Sequence, residues 1–380
     1  MPAALATIAV KQEIWDRPML IGIKTLTAAC AVMLLCSPLL CKKKKPEDIT
    51  QTLELPKDPP TVITADPHRM VFRITPLSAK GLLSAQTRDA VKAMLKQTSG
   101  ENVVRVRAFV AGSGDLRRVP QIVSEVFTEH KLTLPVVSVV QAGGLPMTGA
   151  QVLLESISTS KKNETAPAGL LFVTGKTAEN PQLNDNVAPL AQQALSQFDS
   201  AVVKGGGSNV LRVTCYVSSL ADAGAVSSLI SAKYPAAAIA LIQPRRAHIS
   251  SAVECEGVAK LARPVNGVAF VKDGESVVGA AISAPTVALT GTLVAYGYED
   301  RNARLVFDRM NKVLEPVKAS WKSVAEVRFY PLAASITKQI VRVRDDFLDR
   351  ANPPAMSMVP IEGLPSIDAS FAMDAIAIVK

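Results

Sequence analysis

Metal or acid–base chemistry in this chain would fall first to three histidines, His68, His130 and His248, and to five cysteines. The histidines are few and far apart in sequence, and no Cys-x-x-Cys or Cys/His pattern with zinc spacing occurs. No metal and no cofactor is expected. Cys30, Cys36 and Cys41 sit in an N-terminal apolar stretch, whereas Cys215 and Cys255 fall on two strands of one segment. That pair reads by default as two small buried thiols, with a disulfide left open. Gly205-Gly206-Gly207 could cradle a phosphate only at a helix N-terminus; it precedes a strand and reads as a flexible turn. The net charge of +9 gathers in Lys42-Lys43-Lys44-Lys45 and is otherwise scattered among acids. Without a histidine pair or a basic stripe interleaved with aromatics, RNA cleavage and nucleic-acid binding find no support.

The elements that would position any site repeat three times. The strands Val103–Val110, Val210–Val217 and Val324–Tyr330 each alternate apolar and polar residues, the pattern of a strand with one buried face. Each is followed by a helix and then a strand that starts near a proline: Pro135, Pro235 and Pro354. The spacing between these prolines is that of a small domain and too long for a solenoid unit. In the first copy, Val119, Ile122, Val123, Val126 and Phe127 fall at i, i+3, i+4, i+7, i+8, a strongly amphipathic helix. Around it the order is β-β-α-β-α-β-β. The third copy is expected to open with a hairpin turning at Lys272-Asp273-Gly274-Glu275. A hydrophobic content of 48% argues against disorder, and only 4% aromatics means cores of Val, Ala, Leu and Ile.

Residues 19–41 form an apolar stretch followed at once by the lysine run and a Pro-rich linker. They read as a signal or membrane-anchor segment, with Met19 a plausible start and 1–18 adding little. Cys41 heading a lysine run resembles bacterial lipoproteins, although Pro38-Leu39-Leu40 lacks the small residue that such cleavage wants; a retained anchor would instead hold the lysines in the cytoplasm. The expected organisation is 1–18 unstructured, 19–41 signal or anchor, 42–64 linker, and three repeats at 65–160, 166–262 and 265–380.

These repeats resemble the RidA/YjgF family of reactive-intermediate imine deaminases, also called L-PSP endoribonuclease-like proteins. The resemblance lies in Phe172-Val173-Thr174-Gly175 and Ala288-Leu289-Thr290-Gly291, the Asn102–Val106 strand and the helix end Phe127–His130. It continues through Pro135-Val136-Val137-Ser138, Leu145-Pro146 and Glu155, and recurs as Pro354-Ala355-Met356-Ser357, Leu364-Pro365 and Asp374. The middle repeat has Pro235, lacks the Leu-Pro turn and ends Val253-Glu254-Cys255-Glu256. The resemblance implies an α+β fold of three tandem chorismate-mutase-like domains. Since family members are homotrimers with clefts between subunits, it also implies an intramolecular pseudo-trimer with three non-equivalent clefts.

The resemblance also says where chemistry should be. Family deaminases carry an arginine two residues after the strand proline, which forks onto the substrate carboxylate. The matching residues are Val137, Ala237 and Met356, all apolar. The last-strand acid that positions the attacking water matches Glu155, Glu256 and Asp374; the strand-end Thr-Gly matches Thr174, Gly175, Thr290 and Gly291, with Thr75-Pro76 in the first repeat. Arg245 or Arg246, on a turn, could substitute for the missing anchor. The expectation is a protein that binds a small metabolite or a partner protein in its clefts without imine deaminase activity. The alternative is a deaminase or hydrolase working through the three retained acids.

Overall fold

A computed structural model describes residues 62–65, 70–112, 115–160, 168–245, 250–274, 276–284 and 286–379. Segments 1–18 and 19–41, the lysine run and Arg246 lie outside these residues. The linker expectation through residue 64 needs correcting at its end, because strand β1 (Val62–Ala65) pairs with β2 (Met70–Ile74). No helix among the described residues is long and apolar enough to cross a membrane.

Three sheets organise the described residues. The first contains β1, β2, β3 (Glu101–Ala111), β4 (Val136–Ala142) and β5 (Val152–Ser160) in the order β1-β2-β5-β3-β4, with α1 (Leu83–Gln97) and α2 (Arg118–Glu129) as connections. Next come β6 (Ala168–Asn180), α3 (Ala188–Lys204), β7 (Gly207–Val217), α4 (Ala223–Lys233), β8 (Ala238–Pro244) and β9 (Ser251–Leu261). Here β6-β9-β7-β8 reproduces the order β2-β5-β3-β4. The third sheet uses β12 (Val287–Leu289) and β13 (Leu293–Tyr296), both on β17 (Ala369–Ile378), then β14 (Val324–Pro331) and β15 (Ala355–Met358). Its helices are α5 (Asp300–Leu314) and α6 (Ala334–Arg344). In every sheet the strand after the first helix pairs parallel with the next and antiparallel with the last.

The helices form where the pattern asks for them. In α2 the five apolar residues of the i, i+3, i+4 series are all buried, and Pro120 falls in the first turn, where no intrahelical N–H is needed. In α5 a capping box joins Glu299 and Asn302, which satisfies end groups that the helix itself leaves open.

Two expectations are corrected by pairing. The hairpin β10 (Val268–Asp273) and β11 (Ser276–Ala284) turns where Asp-Gly predicts, but β11 pairs with β6 and widens the second sheet rather than opening the third. From the other side, β16 (Ile361–Gly363) adds to β8 and ties the third sequence segment onto the second sheet. Nor do the alternating strands have a solvated face: β14 and β17 are buried throughout, as are Val103–Val110 of β3. One face packs under its own helices, giving three separate cores. The opposite faces of all three sheets share a fourth, where Phe72, Phe109, Phe172, Tyr216, Tyr330 and Ile376 meet. The polar alternate residues are therefore inside, and burial on that scale requires that they pair.

Across the middle of the second sheet, Cys215 and Cys255 are directly opposed on β7 and β9 and form a disulfide, in place of the two free thiols expected.

Candidate functional site

The three last-strand acids meet where the sheets converge. Glu155, Glu256 and Asp374 are 0–3% exposed. Arg107 donates to Glu155 at 2.9 Å inside the first sheet and also to Glu256 of the second. Arg105 adds a contact to Glu256 at 2.6 Å. Arg212 of the second sheet lies 2.7 Å from Asp374 of the third. Arg328 donates to Asp374 in its own sheet, 2.9 Å, and reaches Glu155 of the first at 3.4 Å. The contacts run from first to second, second to third and third to first, and so close a ring. Hydroxyls complete it: Ser357 donates to Glu155, Ser138 hydrogen-bonds Glu256, and Tyr330 donates to Asp374 at 2.9 Å.

The ring sets its own protonation. Burial alone would raise the Asp374 carboxyl, but Arg212 and Arg328 outweigh it and hold it at about 2. Burial works the same way on Glu256, and Arg105 and Arg107 pull it well below the usual carboxylate range. These acids are thus ionised partners of buried guanidiniums. Sequence reasoning singled out the acids but not Arg105, Arg107, Arg212 and Arg328; the signal for them was the Val-Arg-Val-Arg alternation of Val104–Arg107.

A cleft of about 450 Å³ opens between the first and second sheets. One wall is β4 and the start of α2, with Val137, Val139 and Arg117. The other is a row across three strands, Thr177 on β6, Glu254 on β9 and Tyr216 on β7, aligned by register. Glu179 lies one step further along β6 and is exposed. The walls are joined at their base: Thr174 donates its hydroxyl to the Val137 carbonyl, and the Gly175 N–H donates to Ser138 Oγ at 2.9 Å. The Glu254 carboxyl lies over Gly175, and a Cβ there would have to push it aside.

Glu254 is the ionisable group that sequence reasoning passed over in favour of Glu256. It lies two residues earlier on the same strand face, and that i, i+2 spacing was the available signal. Burial, and then the neighbouring Glu256 and Glu179 carboxylates, push it up to about 8 against the pull of Arg107 and Arg105. By register, the corresponding residues are Leu153 in the first sheet and Ala372 in the third. Near pH 7 this carboxyl can give or take a proton.

The remaining sequence-derived positions separate. Thr290 accepts from the Ala375 N–H at 2.9 Å, and Gly291 lies against β8, where a Cβ would stand 2.5 Å from the Ile239 carbonyl. Met356 is half-buried on β15, where its sulfur accepts from Arg344 at 3.2 Å. Ala237 requires correction. Opposite β7, Ile239 occupies the register held by Val137 and Met356, because Ala237 closes a turn onto Tyr234 before β8 begins. The anchor position is apolar by either alignment. Arg245 donates to the Ile361 and Leu332 carbonyls, 3.1 and 2.7 Å, and is engaged with the third segment. No group of three or more His, Cys, Asp or Glu residues suited to a metal occurs among the described residues.

No protein-family profile matches the chain, and no curated protein sequence matches it. Among solved structures it is similar to a chorismatase at 12% identity and TM-score 0.49, over 83% of this chain and 99% of that one. It is also similar to a YjgF-family member from Neisseria meningitidis at 14% identity and TM-score 0.24, over 25% of this chain and 80% of the other. A member of the YjgF/YER057c/UK114 family from Mycobacterium tuberculosis matches at 18% identity and TM-score 0.24, over 25% and 81%.

Proposed function

We propose that the chain is a RidA-like pseudo-trimer in covalent form, which binds a small molecule in the cleft between its first and second repeats and lacks imine deaminase activity. The observation that carries this is the fate of the two family elements. The carboxylate-anchor positions are Val137, Ile239 and Met356, and the three acids that would position water are closed onto arginines. A cleft of about 450 Å³ suits a metabolite rather than a protein segment. The reading rests further on the repeated strand order and on the ring of contacts that joins the three sheets.

Glu254 favours a second reading, a hydrolase or deaminase of a substrate without a carboxylate, with this residue as general acid–base. One assay separates the two: ammonia release by the full chain from freshly generated 2-aminoacrylate and, for the second reading, from imines that carry no carboxylate. No release above buffer is expected. Turnover that disappears in Glu254→Gln would establish the second reading, and turnover lost in Glu155→Ala, Glu256→Ala or Asp374→Ala would restore the family mechanism. Attachment to a membrane or export through residues 19–41 is part of the proposal; the Cys215–Cys255 disulfide supports an oxidising destination.

A further inference from the structure

We infer that a small monovalent anion of chloride size is held inside the molecule where the second sheet meets the third, between the Arg212 guanidinium and the Thr214 hydroxyl. The inference concerns the ring of ion pairs and is independent of what fills the cleft.

The register of the three sheets carries it. In the first sheet the last-strand acid and its neighbours on the next two strands form the row Glu155-Arg107-Ser138, and in the third the row is Asp374-Arg328-Ser357. In the second it is Glu256-Thr214-Ala240. The arginine and serine of the first row serve Glu256 of the second sheet, and those of the third row serve Glu155 of the first. The second row faces Asp374 of the third sheet, which Arg212, two residues before Thr214 on the same strand face, contacts at 2.7 Å. At this contact the arginine is replaced by Thr214 and the serine by Ala240, and the facing acid is the shortest of the three. All three residues are buried, so bulk solvent does not reach the room that these shorter side chains leave.

Arg212 supplies the second observation. It is 3% exposed; its Nη2 lies against Asp374, while its Nε and Nη1 are buried without a hydrogen-bond partner. Orphaned guanidinium N–H groups are costly in an interior. The Asp374 oxygens are already engaged, Oδ1 by Arg328 and Oδ2 by Arg212 and Tyr330. The contact therefore offers donors: two N–H edges of Arg212 and the Thr214 O–H. A water there would need acceptors for its own two hydrogens and among these side chains would find the Thr214 oxygen alone, whereas an anion accepts from every donor. Charge agrees. Four buried arginines, Arg105, Arg107, Arg212 and Arg328, stand against Glu155, Glu256, Asp374 and Glu326. Burial raises the Glu326 carboxyl against the pull of Arg328, and Glu155 adds to the rise. When Glu326 is protonated one arginine is left over, and a monoanion balances it.

The test is thermal melting of the full chain at constant ionic strength, as sodium gluconate, too bulky for an interior site, is replaced by chloride or bromide. A saturable rise in melting temperature of roughly 2–4 °C is expected with either halide. Arg212→Lys keeps a cation for Asp374 but removes the orphaned N–H groups, and the rise should disappear. Thr214→Glu places a carboxylate where the anion would sit. It should melt in gluconate no lower than the wild-type chain in chloride, with no further response to halide. Crystals of the full chain grown in bromide should show a buried anomalous peak against Arg212. No halide response in the wild-type chain, or an equal response in Arg212→Lys, would sink the proposal. Should Arg212→Lys fail to fold, the bromide position decides, and peaks on the surface alone overturn the inference.

Discussion

Arg107 and Glu256 lie 149 residues apart in sequence and face each other, fully buried, where the first sheet meets the second. The same guanidinium serves Glu155 within its own sheet. Replacing it takes a partner from two buried carboxylates at once, leaving Glu256 to Arg105 and Glu155 to Arg328 and Ser357. Arg107→Met should cost about 3–5 kcal/mol, read as a fall in the urea midpoint with unchanged slope. Adding Glu256→Gln to that variant should recover part of the loss. A double mutant less stable than Arg107→Met would show that the pair is not the source.

Stability should depend on Glu254 between about pH 4.5 and 8. Its folded pKa of about 8 lies above the ordinary 4.5, so it contributes fully below pH 4.5 and its contribution is lost as pH rises through about 8. Melting temperature should therefore fall progressively between about pH 4.5 and 8 and level off above, and Glu254→Gln should flatten that slope. Asp374 works in the opposite sense. Held at about 2 against the usual 3.8, it stabilises above pH 3.8 and ceases to do so as pH falls through about 2.

The disulfide closes a loop of 40 residues in sequence separation. Chain-entropy reasoning gives it at most about 4 kcal/mol, acting on the unfolded chain. Cys215→Ala/Cys255→Ala should lower stability toward that limit and abolish the difference between reducing and non-reducing melts. A variant whose melts still respond to dithiothreitol would point to another disulfide.

Val137→Arg would place a guanidinium across the cleft from Glu254. The Glu254 pKa should then fall by at least about one unit, followed by carboxyl carbon-13 NMR. Met356→Arg is the control, since β15 meets the first sheet, where Leu153 stands at the register of Glu254. An unmoved Glu254 resonance in Val137→Arg would mean that the two walls do not face each other as described.

Much of the fold was legible because its periodicities are local. The α2 stripe from Val119 to Phe127 was read as it stands, and the hairpin signalled by Asp273-Gly274 forms, with Asp273 itself paired to Ser276. What the turn could not reveal was which sheet its strands would join, because pairing of β11 with β6 depends on residues about a hundred positions away. The alternation of Val104–Arg107 was misread for a different reason. A polar face of a strand is solvated unless something of matching charge covers it, and the covering acids come from other sheets. The same blindness hid Glu254, whose neighbours Tyr216 and Glu179 are assembled only by the β6-β9-β7 register. Ala237 was misplaced through counting from a proline, when the turn after Tyr234 delays the strand.

The ring of ion pairs is unevenly stocked. The first sheet brings two arginines, Arg105 and Arg107, to one acid, Glu155; the third brings Arg328 to two, Glu326 and Asp374. Neither is matched within itself. During synthesis the first sheet emerges with a guanidinium that has no buried counterpart until β9 delivers Glu256, and Arg212 waits in turn for β17. The inner faces must therefore stay hydrated while the ribosome works through the chain, and the dry interior can close only as a last, concerted step. That timing exposes apolar strand faces such as Phe72 and Phe109 for the length of translation.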